Sequence, residues 1–146
     1  MMAELESAVT PKNNSSTRAI KLLKLFIKQD KIVGYRYQYF YLEKNRVWKH
    51  NDNEGNYHIF RMMLEGMSIE DKQKYFIDQT SNNYSIYVNT TKCETTYNFV
   101  KHYNSFRDQL NKLAAPAALI DGFFFMMSLI LNLANLEFIG PDSPGM

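Results

Sequence analysis

Cysteine is nearly missing: Cys93 stands alone among 146 residues, which excludes an intrachain disulfide and a multi-cysteine metal centre. Glycine and proline are sparse, at six and four. No glycine-rich phosphate loop and no strand-Gly-x-Gly-x-x-Gly-helix signature occurs, so a bound nucleotide or other cofactor has no visible home. The three histidines, His50, His58 and His102, are separated without metal-ligand spacing and are expected to pack or to face solvent. An excess of one charge is lacking too: 17 Lys+Arg face 15 Asp+Glu, a formal +2, which does not point to nucleic acid. The opening "MMAELESAVTPKNNSSTRAIK" has no secretory apolar core, and Glu4 and Glu6 argue against a cleaved mitochondrial transit peptide. No residue is assigned as catalytic, cofactor-binding or metal-ligating, and the chain is read as non-catalytic by itself.

What is present is unevenly spread over a length that suits one domain. After residue 113 come three acids, Asp121, Glu137 and Asp142, and no base, so the preceding residues hold 17 bases against 12 acids. Residues 1–17 read as a flexible polar leader. Residues 18–113 read as a helical domain. Its first helix is expected from Arg18 to Asp30, with Ile20, Leu22, Leu23, Leu25, Phe26 and Ile27 on a broad apolar stripe opposed by Lys21, Lys24 and Lys28. Tyr35, Tyr37, Tyr39 and Tyr41 then alternate, which suits a short strand or an aromatic-rich helix. A loop at residues 50–56 precedes a helix from Tyr57 to Leu64, and a second, Ile69 to Asp78, opens on a capping box of Ser68 and Asp71. Helix returns from Thr96 to Leu113. Four Asn-x-Ser/Thr triplets, beginning at Asn13, Asn14, Asn83 and Asn89, follow from the abundance of asparagine. Tyr97 and Lys101 have the Tyr-x-x-x-Lys spacing of short-chain reductases, but without a cofactor domain the match is read as accidental.

Residues 114–136, "AAPAALIDGFFFMMSLILNLANL", carry a single charge, Asp121. About 20 apolar residues cross the ~30 Å of a bilayer's hydrocarbon. A membrane-inserted helix is the expectation here, with a buried helix or hairpin in a core or interface as the other reading. Asp121 must then lie toward one face, be neutral or find a partner. Lys101, Arg107 and Lys112 would hold the bulk of the chain on the cytosolic or matrix side, leaving a short polar tail, residues 137–146, across the membrane.

The stretch "MSIEDKQKYFIDQTSNNYSIYV" resembles the C-terminal, or sterile, domain of alcohol-forming fatty acyl-CoA reductases. Ser68, Glu70, Asp71 and Lys72 match its Met/Leu-Ser-x-Glu-Asp-Lys/Arg run. Tyr75, Ile77 and Asp78 match the pair that follows, and Tyr84 and Tyr87 fall at its Trp and Tyr spacings. Upstream, Trp48, His50 and Asn51 are similar to its Trp-x-Phe/His-x-Asn signature. The resemblance implies structural roles for Trp48, Ser68, Asp71, Asp78, Tyr84 and Tyr87. It also implies a mainly α accessory domain, lacking the Rossmann domain of that family, that supports lipid and fatty alcohol metabolism with a protein partner or larger complex. The expected location is an intracellular membrane: endoplasmic reticulum, peroxisome or mitochondrial inner membrane. A second resemblance, of "AIKLLKLF" and "RVWKHN" to small helical proteins of the Leu-Tyr-Arg type, implies an accessory or assembly subunit of a mitochondrial respiratory complex, although Leu23, Lys24 and Leu25 depart from that triplet.

Overall fold

A long two-stranded ribbon projects from a small helical core, so the architecture is mixed α+β and not mainly α. The computed structural model describes residues 2–80, 83–87 and 95–137; Cys93 and Asn89 lie outside them. In chain order the elements are α1 (Met2–Glu6), β1 (Ser7–Thr10), β2 (Asn13–Thr17), β3 (Ala19–Lys28), β4 (Lys31–Leu42), a 3-10 turn (Lys44–Val47), α2 (His58–Gly66), α3 (Ile69–Lys74), α4 (Phe99–Lys112) and α5 (Ala117–Leu133). Among the described residues β1 pairs with β2 and β3 with β4, both antiparallel, and Ala8 of β1 also bridges to Tyr57.

Where composition predicts a mobile leader, residues 2–17 form α1 and the β1–β2 hairpin. Ala8 and Val9 are buried, and β1 is pinned on its other side by the Gly55 amide, which donates to the Val9 carbonyl at 2.8 Å. The helix expected from Arg18 to Asp30 is strand β3. Its apolar residues fall on both sides of the pleat, as in a strand that needs cover on two faces, and such a run reads equally well at helical spacing. The tyrosine alternation lies in β4, the strand reading of the two left open. Gln29 and Asp30, both at positive φ (49° and 58°), make the tight turn whose twist matches the ribbon.

The core gathers α2, α4 and α5 around Phe60, Met62, Met63, Tyr103, Phe106 and Phe124. At Gly66 the backbone of α2 passes so near α4 that an added Cβ would lie 2.6 Å from the Cβ of Tyr103. Helix α5 shows why residues 114–136 do not span a membrane. Ala114, at φ 50°, ends α4 in a left-handed cap: its amide donates to the Asn111 carbonyl at 2.9 Å, and that of Ala115 to Leu110 at 3.4 Å. Pro116 then sits at the N-cap of α5, which ends at Leu133 after 17 residues, roughly 25 Å. Among the described residues no helix is long and apolar enough to cross a membrane, which corrects the membrane-inserted helix, the membrane partner and the intracellular-membrane location together. Phe124, Ser128 and Leu131 turn inward instead, and the Ser128 hydroxyl donates to the Tyr75 carbonyl. Asp121 finds partners in Lys74 Nζ and the Tyr75 hydroxyl, each at 2.7 Å.

Because an alanine at positive φ is strained where glycine is not, Ala114→Gly is expected to stabilise the chain by about 0.5–1 kcal/mol, read as a higher urea midpoint.

Candidate functional site

The functional candidate is the joint where the ribbon meets the core. Its backbone closes first: the Arg18 amide donates to the Glu6 carbonyl at 2.7 Å, and the Glu43 amide to the Arg18 carbonyl at 3.0 Å. Side chains then lock it. Glu6, buried at the end of α1, accepts from Lys21 Nζ on β3 and from the Tyr39 hydroxyl on β4 at 3.2 Å. Below it lies Arg46, 1% exposed in the 3-10 turn. Its guanidinium donates to Glu43 through Nε (2.9 Å) and Nη2 (3.2 Å), to Glu54 Oε2 (2.7 Å) and to the Gly55 carbonyl (3.0 Å). Arg18 Nε completes the cluster at 2.5 Å from Glu43 Oε2. Two guanidiniums and two carboxylates therefore cancel in charge, as a desolvated cluster requires.

Burial pushes Glu43 up, but the Arg18 and Arg46 guanidiniums outweigh it and hold the carboxyl below its usual value. Glu54 is likewise lowered overall, burial being overcome by Arg46 and Asn51. Burial, with Glu43 adding to it, pushes the Tyr57 phenol up to about 12, and its hydroxyl donates to the Glu43 carbonyl at 2.7 Å. The cluster thus joins ribbon, 3-10 turn and the start of α2 through groups that stay in one protonation state near neutrality. It ties these elements together at the base of the ribbon.

A second buried feature lies on the far side of α2. His58 and His102, distant in sequence, both lie against Tyr97, His58 tilted with centroids 4.2 Å apart and His102 stacked at 4.0 Å. Neither ring nitrogen of His58 reaches a partner at hydrogen-bonding geometry among the described residues. Burial drives its pKa down to about 4, with the Asn14 backbone and Glu4 opposing only in part. His58 is therefore neutral in the fold and protonates freely when unfolded. Stability should fall as pH drops below about 6.5 and keep falling toward pH 4, with a slope approaching one proton. His58→Phe should flatten that window in pH-dependent urea unfolding, and an unchanged slope would refute the assignment.

The positions singled out by the reductase resemblance scatter. Trp48 closes the 3-10 turn, is 72% exposed, and borders a groove of about 490 Å³ with Tyr57, Ile130 and Leu133. Ser68 caps α3, its hydroxyl accepting from the Asp71 amide at 3.1 Å. The carboxylate near the Ser68 hydroxyl is that of Glu70, not of Asp71. Asp78 and Tyr84 come together: the Asp78 amide donates to the Tyr84 hydroxyl at 2.7 Å, and its carboxylate accepts from the Thr80 amide and Asn83. Tyr84 reaches α5 at Asn132 (3.4 Å), while Tyr87 lies against the Arg61 guanidinium. None of the six enters the Arg46 cluster. The Glu43–Arg46 spacing was visible in sequence; Glu54, brought back by a loop, was not.

The sequence profile of the myosin head (motor domain) family matches residues 1–144. The probable myosin heavy chain of Encephalitozoon cuniculi is 31% identical over 136 residues, covering 93% of this chain and 8% of that protein. The myosin IB heavy chain of Dictyostelium discoideum is 30% identical over 139 residues, 93% of this chain and 12% of that protein. Myosin type-2 heavy chain 2 of Schizosaccharomyces pombe is 30% identical over 140 residues, 95% of this chain and 7% of that protein. The chain thus spans about a tenth of the length of these relatives. These matches overturn both the likeness to the fatty acyl-CoA reductase C-terminal domain, with its role in lipid metabolism, and the alternative of a mitochondrial respiratory subunit. The motifs behind the first were a helix cap and spaced aromatics, which packing produces in unrelated folds. With the profile matched along nearly its whole length, the chain belongs to the myosin head (motor domain) family.

Proposed function

We propose that this chain serves a cytoskeletal motor that works on actin filaments, and that its own part in that motor is mechanical. The observation that carries this is the joint: β4 runs for 12 residues, roughly 40 Å, and its base is fixed to the helical core through the buried Arg46 cluster. A lever of that length, tied at one end by charge-matched hydrogen bonds, passes a twist of the ribbon into α2 without a change of protonation. The family supports the motor reading.

The test uses the endogenous protein. Sedimented with actin filaments, it is expected in the pellet without ATP and in the supernatant with ATP; a distribution indifferent to both filament and nucleotide overturns the motor reading. In the same protein Arg18→Gln is expected to slow filament gliding while leaving filament affinity unchanged. Gliding at the unaltered speed would overturn the mechanical role of the joint.

A further inference from the structure

The two faces of the ribbon carry different side chains. On one face Leu23 and Leu25 stand opposite Tyr37 and Tyr35. On the other, Lys24 stands directly opposite Arg36, and Lys28 directly opposite Lys31. The register shift after Phe26 leaves Val33 as the extra residue of β4, which keeps both cation pairs on this one face, since residues 24, 26 and 28 alternate together. Between them the Phe26 ring lies over Gly34, its Cδ2 3.6 Å from where a Cβ would stand. All four cations are exposed, and among the described residues none has a carboxylate partner. Asp30 lies in the turn between the strands.

Like charges directly opposite across a strand pair are unfavourable, and here the arrangement occurs twice on one face. An anion between the members of each pair reverses the sign. Successive pairs lie roughly 13 Å apart, the reach of four residues of extended chain, with an aromatic ring midway. We propose that this face docks an extended acidic polypeptide segment, whose carboxylates about four residues apart seat between the Lys24–Arg36 and Lys28–Lys31 pairs, with an apolar side chain on Phe26. A polypeptide fits better than a nucleic acid because Leu22 and Phe26, exposed on the same face, need apolar cover that a phosphate backbone does not supply.

The probe is a fluorescein-labelled peptide repeating Glu-Thr-Val-Thr, titrated with the full chain and followed by anisotropy. The expected result is saturable binding that weakens with salt and weakens again when the same residues are reordered to put glutamates on both faces. Lys24→Glu should lower affinity about tenfold, yet raise Tm by about 1–4 °C, because it turns a like-charged pair into an opposite-charged one. Arg36→Lys should keep the affinity. Binding lost together with stability would mean mere unfolding and would overturn the proposal. So would unaltered affinity in Lys24→Glu, absence of binding by the unaltered chain, or tighter binding of a single-stranded oligonucleotide of equal charge.

Discussion

Arg46→Met is expected to destabilise the chain by about 4 kcal/mol at neutral pH, because it removes one member of a buried ion cluster and leaves the other charges in place. Methionine nearly restores the volume, so the loss is electrostatic. Glu43 and Glu54 keep their largely desolvated carboxylates without the guanidinium that matched them, and the Gly55 carbonyl loses its donor. The pH dependence follows from the two lowered carboxyls. Their stabilisation is complete above the ordinary value of 4.5 and is lost as pH falls through the lower folded values. The gap between Arg46→Met and the unaltered chain should therefore be widest near neutrality and narrow below about pH 4. Urea midpoints at both pH values check this. A gap independent of pH would mean that Arg46 acts through packing. Adding Glu54→Gln to Arg46→Met should recover part of the loss, since Glu43 keeps its partner in Arg18 and Glu54 is the carboxylate left without a cation.

Gly66→Ala should cost about 3 kcal/mol, at the high end for overpacking, although it adds a single methyl group. The added Cβ would meet Tyr103 at its Cβ (2.6 Å), Cγ (2.7 Å) and Cδ1 (2.9 Å). Because the Cβ is placed by the backbone of α4, no rotamer of Tyr103 relieves the contact; the two helices must separate. The ring, tilted against Phe124 with centroids 6.1 Å apart, would carry the displacement toward α5. Truncating the ring as well, in Gly66→Ala with Tyr103→Ala, should not restore stability, since the alanine keeps the offending Cβ. Rescue by that second change would show that the clash lies in the ring alone.

The Ser68 cap and the three longer helices were legible in the sequence, because caps and 3.6-residue periodicity are local properties. β3 was not legible. Its leucines, Phe26 and the two isoleucines satisfy a helical stripe and a strand covered on both faces at once, and only its pairing with β4 decides. Residues 114–136 have the apolar content of a membrane span, but local punctuation overrides it. Ala114 at positive φ and Pro116 at the N-cap shorten the helix, and positive φ at an alanine leaves no mark in sequence. The joint was not foreseen from the sequence. Glu43 and Arg46 are neighbours three apart, but Arg18, Glu54 and Glu6 arrive through tertiary structure.

The lysines of β3 have one more consequence, which falls during synthesis. The ribbon needs only residues 19–42, and hairpins of this kind close in roughly 1–10 μs. At about 5–20 residues per second, α4 and α5 leave the ribosome roughly 3 to 18 s later. Throughout that interval the nascent chain displays Leu22, Leu23, Leu25, Phe26 and Ile27 beside other nascent chains. Lys21, Lys24 and Lys28 interrupt the run every three or four residues, so no window of six is both apolar and uncharged. They act as gatekeepers against cross-β association, and their neutralisation would first appear as insoluble product at the ribosome, before any defect in the finished protein.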